Sequence, residues 1–175
     1  MRTLYLLRHG KAESGTPGGR DYDRALAPRG LRDSVRMGAH LAERPEPPRW
    51  FLCSPARRAA QTLDGVRESL PLGDDGEFQQ NLYLASAEQI FQRVCEVDDT
   101  VDSLLVVGHN PGLEQLAASL TRPPEGDPNA WAPPNFPTAA LAMLRFDVDR
   151  WLDLAPPPRC GEVVFTTPKQ LAAIR

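Results

Sequence analysis

SLLVVGHNPGLEQLAASL, residues 103–120, reads as a strand, a turn and a helix in one sweep. Ser103 to Gly108 is a short apolar run without polar alternation, the pattern of a strand buried on both faces. Asn110-Pro111 is a cap-plus-proline start, and Leu113, Leu116, Ala117 and Leu120 fall on one helical face. Two earlier runs have the same character: Thr3 to Arg8 (TLYLLR) and Arg49 to Ser54 (RWFLCS). The first leads through a polar, Gly-rich loop into a helix expected over Pro28 to Glu43, with Leu31, Val35, Ala39 and Ala42 near helical spacing. That helix stops at the Pro-rich ERPEPPR connector. The second strand runs into Pro55, with Ser54 as N-cap and Ala56, Ala59, Ala60, Leu63 and Val66 tracing the face of the next helix. A third short helix is expected over Glu88 to Val97, a loop from Arg122 to Pro137, strands at Ala139 to Phe146 and Glu162 to Thr166, and a short helix in Lys169 to Ile174. Strand alternating with helix predicts an α/β fold with helices on both faces of the sheet.

The 175 residues fit a single domain, 1–175, large enough to bury a core without disulfides or metals. No apolar run approaches membrane-spanning length. The first strand begins too early for a secretory signal, so a cytoplasmic protein is expected. Cys53, Cys95 and Cys160 match neither a disulfide framework nor a zinc site and read as incidental thiols. The net charge of −3 argues against general attraction to nucleic acid or anionic membrane, so any anion site must be local. Only Lys11 and Lys169 among the twenty basic residues are lysines. An arginine is therefore informative only where its position is special.

In α/β sheets the ligand crevice lies beyond the carboxyl ends of the strands. Those ends read Arg8-His9-Gly10, Ser54-Pro55-Ala56-Arg57-Arg58 and Gly108-His109-Asn110-Pro111. They gather two of the three histidines; the third, His40, reads as a helix-surface or boundary residue. Histidines among arginines make a poor metal site, because arginine repels a cation. They make a good phosphoryl site. Guanidinium forks match phosphate oxygens, helix starts supply N–H donors, a neutral imidazole can attack phosphorus, and Gly10 leaves room for a close approach.

RHG at the first strand end, SPARRAAQT (Ser54 to Thr62) and GHNPG (Gly108 to Gly112) together resemble the histidine phosphatase, or phosphoglycerate mutase-like, superfamily. Within it, the short length, DYDRALAPRG (Asp21 to Gly30), LYLASAEQ and PTAALAML look like the SixA-type phosphohistidine phosphatases. The resemblance implies a three-layer α/β/α fold with a mostly parallel sheet and a cofactor-free, metal-independent phosphatase. His9 would be the nucleophile, Arg8 and Arg58 would hold phosphoryl oxygens, and His109 would act as hydrogen-bond donor and charge stabiliser. Asn110 and Arg24 would be further phosphate contacts, with a clamp on Asp21 or Asp23 as the other reading of Arg24. Arg57 reads as a solvated residue of the first helical turn. The implied partner is a phosphorylated protein of the histidine phosphotransfer or phosphocarrier type, or else a small phosphorylated substrate.

Ester-hydrolysing relatives usually place a general acid after the second helix, because an alkoxide leaves badly without a proton. Here QQNLYLASA (Gln79 to Ala87) holds no carboxylate, and Glu77 and Glu88 read as a strand edge and an early helical position. Protonated phosphohistidine departs as neutral imidazole and needs no such acid. Glu13, Asp21 or Asp23 from the Gly-rich loop remain within possible reach. Three rivals follow: a broad phosphomonoesterase on the same fold, a non-catalytic phosphate-binding domain, and a cysteine phosphatase. The last needs CxxxxxR, but the sixth residue after Cys53 is Ala59.

Overall fold

A computed structural model of the chain describes residues 1–73, 76–121, 135–155 and 160–173. Six strands form one sheet: β1 (Arg2–Arg8), β2 (Trp50–Cys53), β3 (Glu77–Phe78), β4 (Ser103–Gly108), β5 (Leu141–Phe146) and β6 (Glu162–Thr166), in the order β3-β2-β4-β1-β5-β6. The first four run parallel, and β5 and β6 are antiparallel additions at one side. The mostly parallel sheet expected from the sequence is present. Most of the 122–137 loop lies outside the described residues, as does the last residue of the 169–174 helix.

Strand parity divides the core. Leu4, Leu6, Leu104 and Val106 pack with α3 (Ala87–Cys95) and α4 (Gly112–Leu120) on one face. Tyr5, Leu7, Leu105 and Val107 pack with α1 (Pro28–Ala42) and α2 (Arg57–Arg67) on the other. A final short helix, α5 (Pro168–Ala173), contributes Leu171 to this second face. Each strand is apolar on both sides because each face is covered.

Three local expectations need correction. Asn110 is not the cap of α4, whose N-cap position is Pro111, with no side-chain cap hydrogen bond. The buried face of α1 is Gly30, Asp33, Ser34, Met37, Gly38 and Leu41, while Leu31 is exposed. The helix packs on α2 through small residues: a Cβ on Gly38 would stand 2.5 Å from the Val66 carbonyl oxygen, and one on Gly65 would stand 2.7 Å from the Ser34 Cβ. Backbone proximity, rather than an apolar stripe, sets the face. Ser54 is also not the cap of α2, whose N-cap position is Ala56. Its hydroxyl is drawn into the site described below. The start of α3 is better defined than the sequence suggested, because Ser86 and Gln89 form a reciprocal capping box.

Candidate active site

The parallel ladder extends past the strands and fixes the site. Arg8 is paired with Gly108 in register; beyond it the His9 amide donates to the Gly108 carbonyl at 3.0 Å, and the Ser54 amide donates to the Val107 carbonyl at 3.0 Å. Three strand ends are thereby held level. His9 and His109 share the parity of Leu7 and Val107, toward α2, and their ring centroids are 5.1 Å apart. Arg58, in the first turn of α2, is buried between them.

Hydrogen bonding determines both tautomers, because arginine only donates. Arg58 Nε donates to His9 Nε2 at 3.3 Å, and His9 Nδ1 lies 2.7 Å from the Gly10 carbonyl oxygen. His9 therefore carries its proton on Nδ1 and keeps a lone pair on Nε2. Arg58 Nη2 meets His109 Nδ1 at 3.3 Å, and His109 Nε2 lies 2.8 Å from Ser54 Oγ. The His109 proton is thus on Nε2, donated to the serine. Burial, followed by the positive charges of Arg58 and Arg8, pushes the His9 pKa down to about 4. Burial, then His9 and Arg58, pushes His109 down to about 3. Both rings are neutral at physiological pH. In this neutral state the one N–H of His109 is spent on Ser54, so the donor and charge-stabilising role expected of it requires the protonation that an entering anion favours.

The two histidines line an open cavity of about 370 Å³ together with Arg8, Arg24, Arg58 and Asn110. All six residues singled out from the sequence therefore converge. Their availability differs. Arg8 Nη1 donates to the Phe136 carbonyl at 2.7 Å, and its buried Nε has no hydrogen-bond partner among the described residues. The Asn110 amide nitrogen is already committed, to Glu114 Oε2 at 2.8 Å and to the Phe136 carbonyl at 3.2 Å. That leaves Asn110 an acceptor oxygen, which suits positioning of the β4–α4 turn better than contact with an anion. Arg24 bonds Asp21 at 2.9 Å and the Glu13 carbonyl, and so takes the clamping geometry while also facing the cavity. Arg57 is exposed in the first turn of α2 and His40 is half-buried near the end of α1.

Gly10 serves a different close approach from the one expected. A Cβ there would lie 2.8 Å from the Gly30 carbonyl oxygen, and the Gly10 amide donates to Thr62 Oγ1 at 3.0 Å. Its missing side chain lets the β1 end pack on α1 and α2. Neither Glu77, in the edge strand β3, nor Glu88, in the first turn of α3, lines the cavity. Asp21 does, but hydrogen bonds from Arg24 and Tyr83, then Arg58, hold its carboxyl well below the usual range. It has no proton to give. Cys53 is fully buried in β2, and burial pushes its thiol up, away from the reactive thiolate.

Sequence reasoning missed Ser54 as the partner of His109, Thr62 beneath Gly10, and Tyr83. Tyr83 stands edge-on to His109 with centroids 5.5 Å apart and donates to Asp21 Oδ2 at 2.8 Å. Ser54 and Thr62 lie inside SPARRAAQT and Tyr83 inside LYLASAEQ, so their signal was the motif rather than their own chemistry. Among the described residues no group of three or more His, Cys, Asp or Glu is placed to hold a metal ion, and no helix is long and apolar enough to cross a membrane.

A buried histidine pair bridged by a guanidinium, at the carboxyl ends of parallel strands, defines an α/β protein with a cationic candidate site. The chain belongs to the histidine phosphatase superfamily (branch 1), whose family model matches residues 4–82. An uncharacterized protein of Mycobacterium tuberculosis is 36% identical over 168 residues, which cover 93% of this chain and 100% of that one. A candidate phosphohistidine phosphatase SixA from Agrobacterium tumefaciens is 32% identical, with a TM-score of 0.72 over 82% of this chain and 90% of that one. The protein histidine phosphatase SixA complexed with tungstate is 26% identical, with a TM-score of 0.74 over 97% of this chain and 99% of that one.

Proposed function

We propose that this chain is a phosphatase that works through a phosphorylated His9 and removes phosphate from phosphohistidine in a protein. The observation that carries the reading is the His9 ring: Nδ1–H is anchored on the Gly10 carbonyl, Nε2 faces Arg58 with its lone pair, and the pKa near 4 keeps it unprotonated. In the first step Nε2 attacks phosphorus in line, the P–N bond to the substrate breaks, and its electron pair goes to the leaving nitrogen. Because the substrate ring enters protonated on its other nitrogen, it leaves as neutral imidazole. In the second step water attacks phosphorus, the bond to His9 Nε2 breaks, and inorganic phosphate departs with the proton from water. Arg8 and Arg58 spread the charge of the transferring oxygens, and His109 donates to them once the incoming dianion raises its pKa and it takes a proton from solvent. Among the described residues lining the cavity none carries a proton-bearing carboxyl, which suits a leaving group that needs no acid. The tungstate bound by the SixA relative is a phosphate-like oxyanion, and a SixA-like reading agrees with the open mouth. The test is phosphate release from a histidine-phosphorylated protein and from an aryl phosphate ester, side by side, with His9→Ala as control. Preference for the P–N substrate supports the reading. Equal or better ester turnover favours the broad phosphomonoesterase.

A further inference from the structure

Among the residues lining the cavity stands a fixed carboxylate without an assigned role. Asp21 is the only carboxylate among the described residues lining the cavity, where the other charged groups are Arg8, Lys11, Arg24 and Arg58. Donors from three segments hold it: Arg24 Nη1 at 2.9 Å on Oδ1, and Arg58 Nη2 at 2.9 Å and the Tyr83 hydroxyl at 2.8 Å on Oδ2. Arg58 Nη1 also donates to the Asp21 carbonyl at 2.6 Å, so backbone and side chain are fixed together. The His9 residue is 9% exposed and lies at the floor; the Asp21 side chain is 46% exposed and lies at the rim. In an in-line displacement the nucleophile and leaving atoms lie on opposite sides of phosphorus. A phosphoryl group over His9 therefore directs its leaving group outward, to the mouth whose rim includes Asp21. A carboxylate has about four lone-pair positions, and the three donors leave one open.

We infer that Asp21 is a specificity-determining residue that favours nitrogen leaving groups of cationic, N–H-bearing substrates over oxygen leaving groups. The inference rests on the proposed phosphohistidine reading and deepens it. A phosphorylated imidazolium presents a positive ring with an N–H that the open Asp21 position accepts, and that proton stays on the ring as the P–N electron pair returns to the leaving nitrogen. An ester gives the opposite result. Its leaving oxygen gains negative charge beside a carboxylate that repels it and has no proton to offer. The sign of one rim charge thus selects between the two bond types on the same nucleophile.

The experiment measures kcat/KM for a phosphohistidine peptide and for p-nitrophenyl phosphate in the wild type, Asp21→Asn and Asp21→Glu. Asp21→Asn should lower P–N turnover about tenfold more than ester turnover, so that the ratio falls; Asp21→Glu should restore most of the ratio. A clamp that only shapes the pocket would lower both substrates in parallel, and that result overturns the inference, as does an unchanged ratio. A wild type that hydrolyses only the ester overturns the phosphohistidine reading and this inference together. Normal P–N preference with an Asp21-independent ratio overturns this inference alone.

Discussion

Burying two neutral histidines should make the protein lose stability in mild acid. An unfolded histidine titrates near 6.5, whereas His9 titrates near 4 and His109 near 3 in the folded chain. A depressed folded value means that the unfolded state binds the extra proton first. The stabilising contribution is therefore full above pH 6.5, declines as pH falls through the window below it, and is exhausted once pH passes the folded values. From pH 7 to pH 5 each unfolded ring goes from about a quarter to almost fully protonated, and each folded ring takes up almost no proton. The loss is about 2 kcal/mol per ring, or about 4 kcal/mol for the pair, from ~1.4 kcal/mol for each tenfold. His40, whose value burial also lowers, acts in the same direction, so the difference between wild type and variants is the informative quantity. Urea denaturation at both pH values, on the wild type, His9→Asn and His109→Asn, measures it. Each variant should lose about 2 kcal/mol less than the wild type. Equal losses in all three would refute the claim that these rings are held neutral by the fold.

Arg58→Met removes the guanidinium that bridges both rings and should lower kcat by about 10²- to 10³-fold in a substrate turnover assay. With that positive neighbour gone, the acid limb of its pH–rate profile should move to higher pH, because both histidines become easier to protonate. Gly38→Ala places a Cβ within 2.5 Å of the Val66 carbonyl oxygen; overpacking of about 1–3 kcal/mol should outweigh the ~1 kcal/mol of helix propensity gained, seen as a lower urea midpoint. Folded protein treated with iodoacetamide should retain activity and leave Cys53 unmodified, as mass spectrometry would show. Inactivation in step with Cys53 labelling would revive the cysteine mechanism.

The sheet and the four central site residues were legible because each depends on short-range signals. Buried parallel strands read as continuous apolar runs, and their carboxyl ends fall at the residues where those runs stop. His9 and His109 follow from that rule, whereas Arg58 is singled out from Arg57 by the family resemblance that SPARRAAQT carries. The buried face of α1 was not legible, because Ser34 and Gly38 pack on Gly65 and Val66 through close backbone approach and leave no apolar stripe. Ser54 was misread for a related reason. A serine before a helix is usually a cap, but here its oxygen lies 2.8 Å from His109 Nε2, a contact set by the β2–β4 register. Asp21 and Tyr83 lie 62 positions apart, and only the folded loop places them at 2.8 Å. Rim residues of this kind carry no periodicity, and their partners are fixed by tertiary structure alone.

The central claim is that phosphate passes through His9. Protein exposed briefly to a radiolabelled phosphohistidine substrate and quenched in alkali, then digested and mapped, tests it directly. Acid-labile label on the peptide containing His9, absent from His9→Ala, is the predicted result. Turnover with label on another residue, or with undiminished rate in His9→Ala, would contradict it.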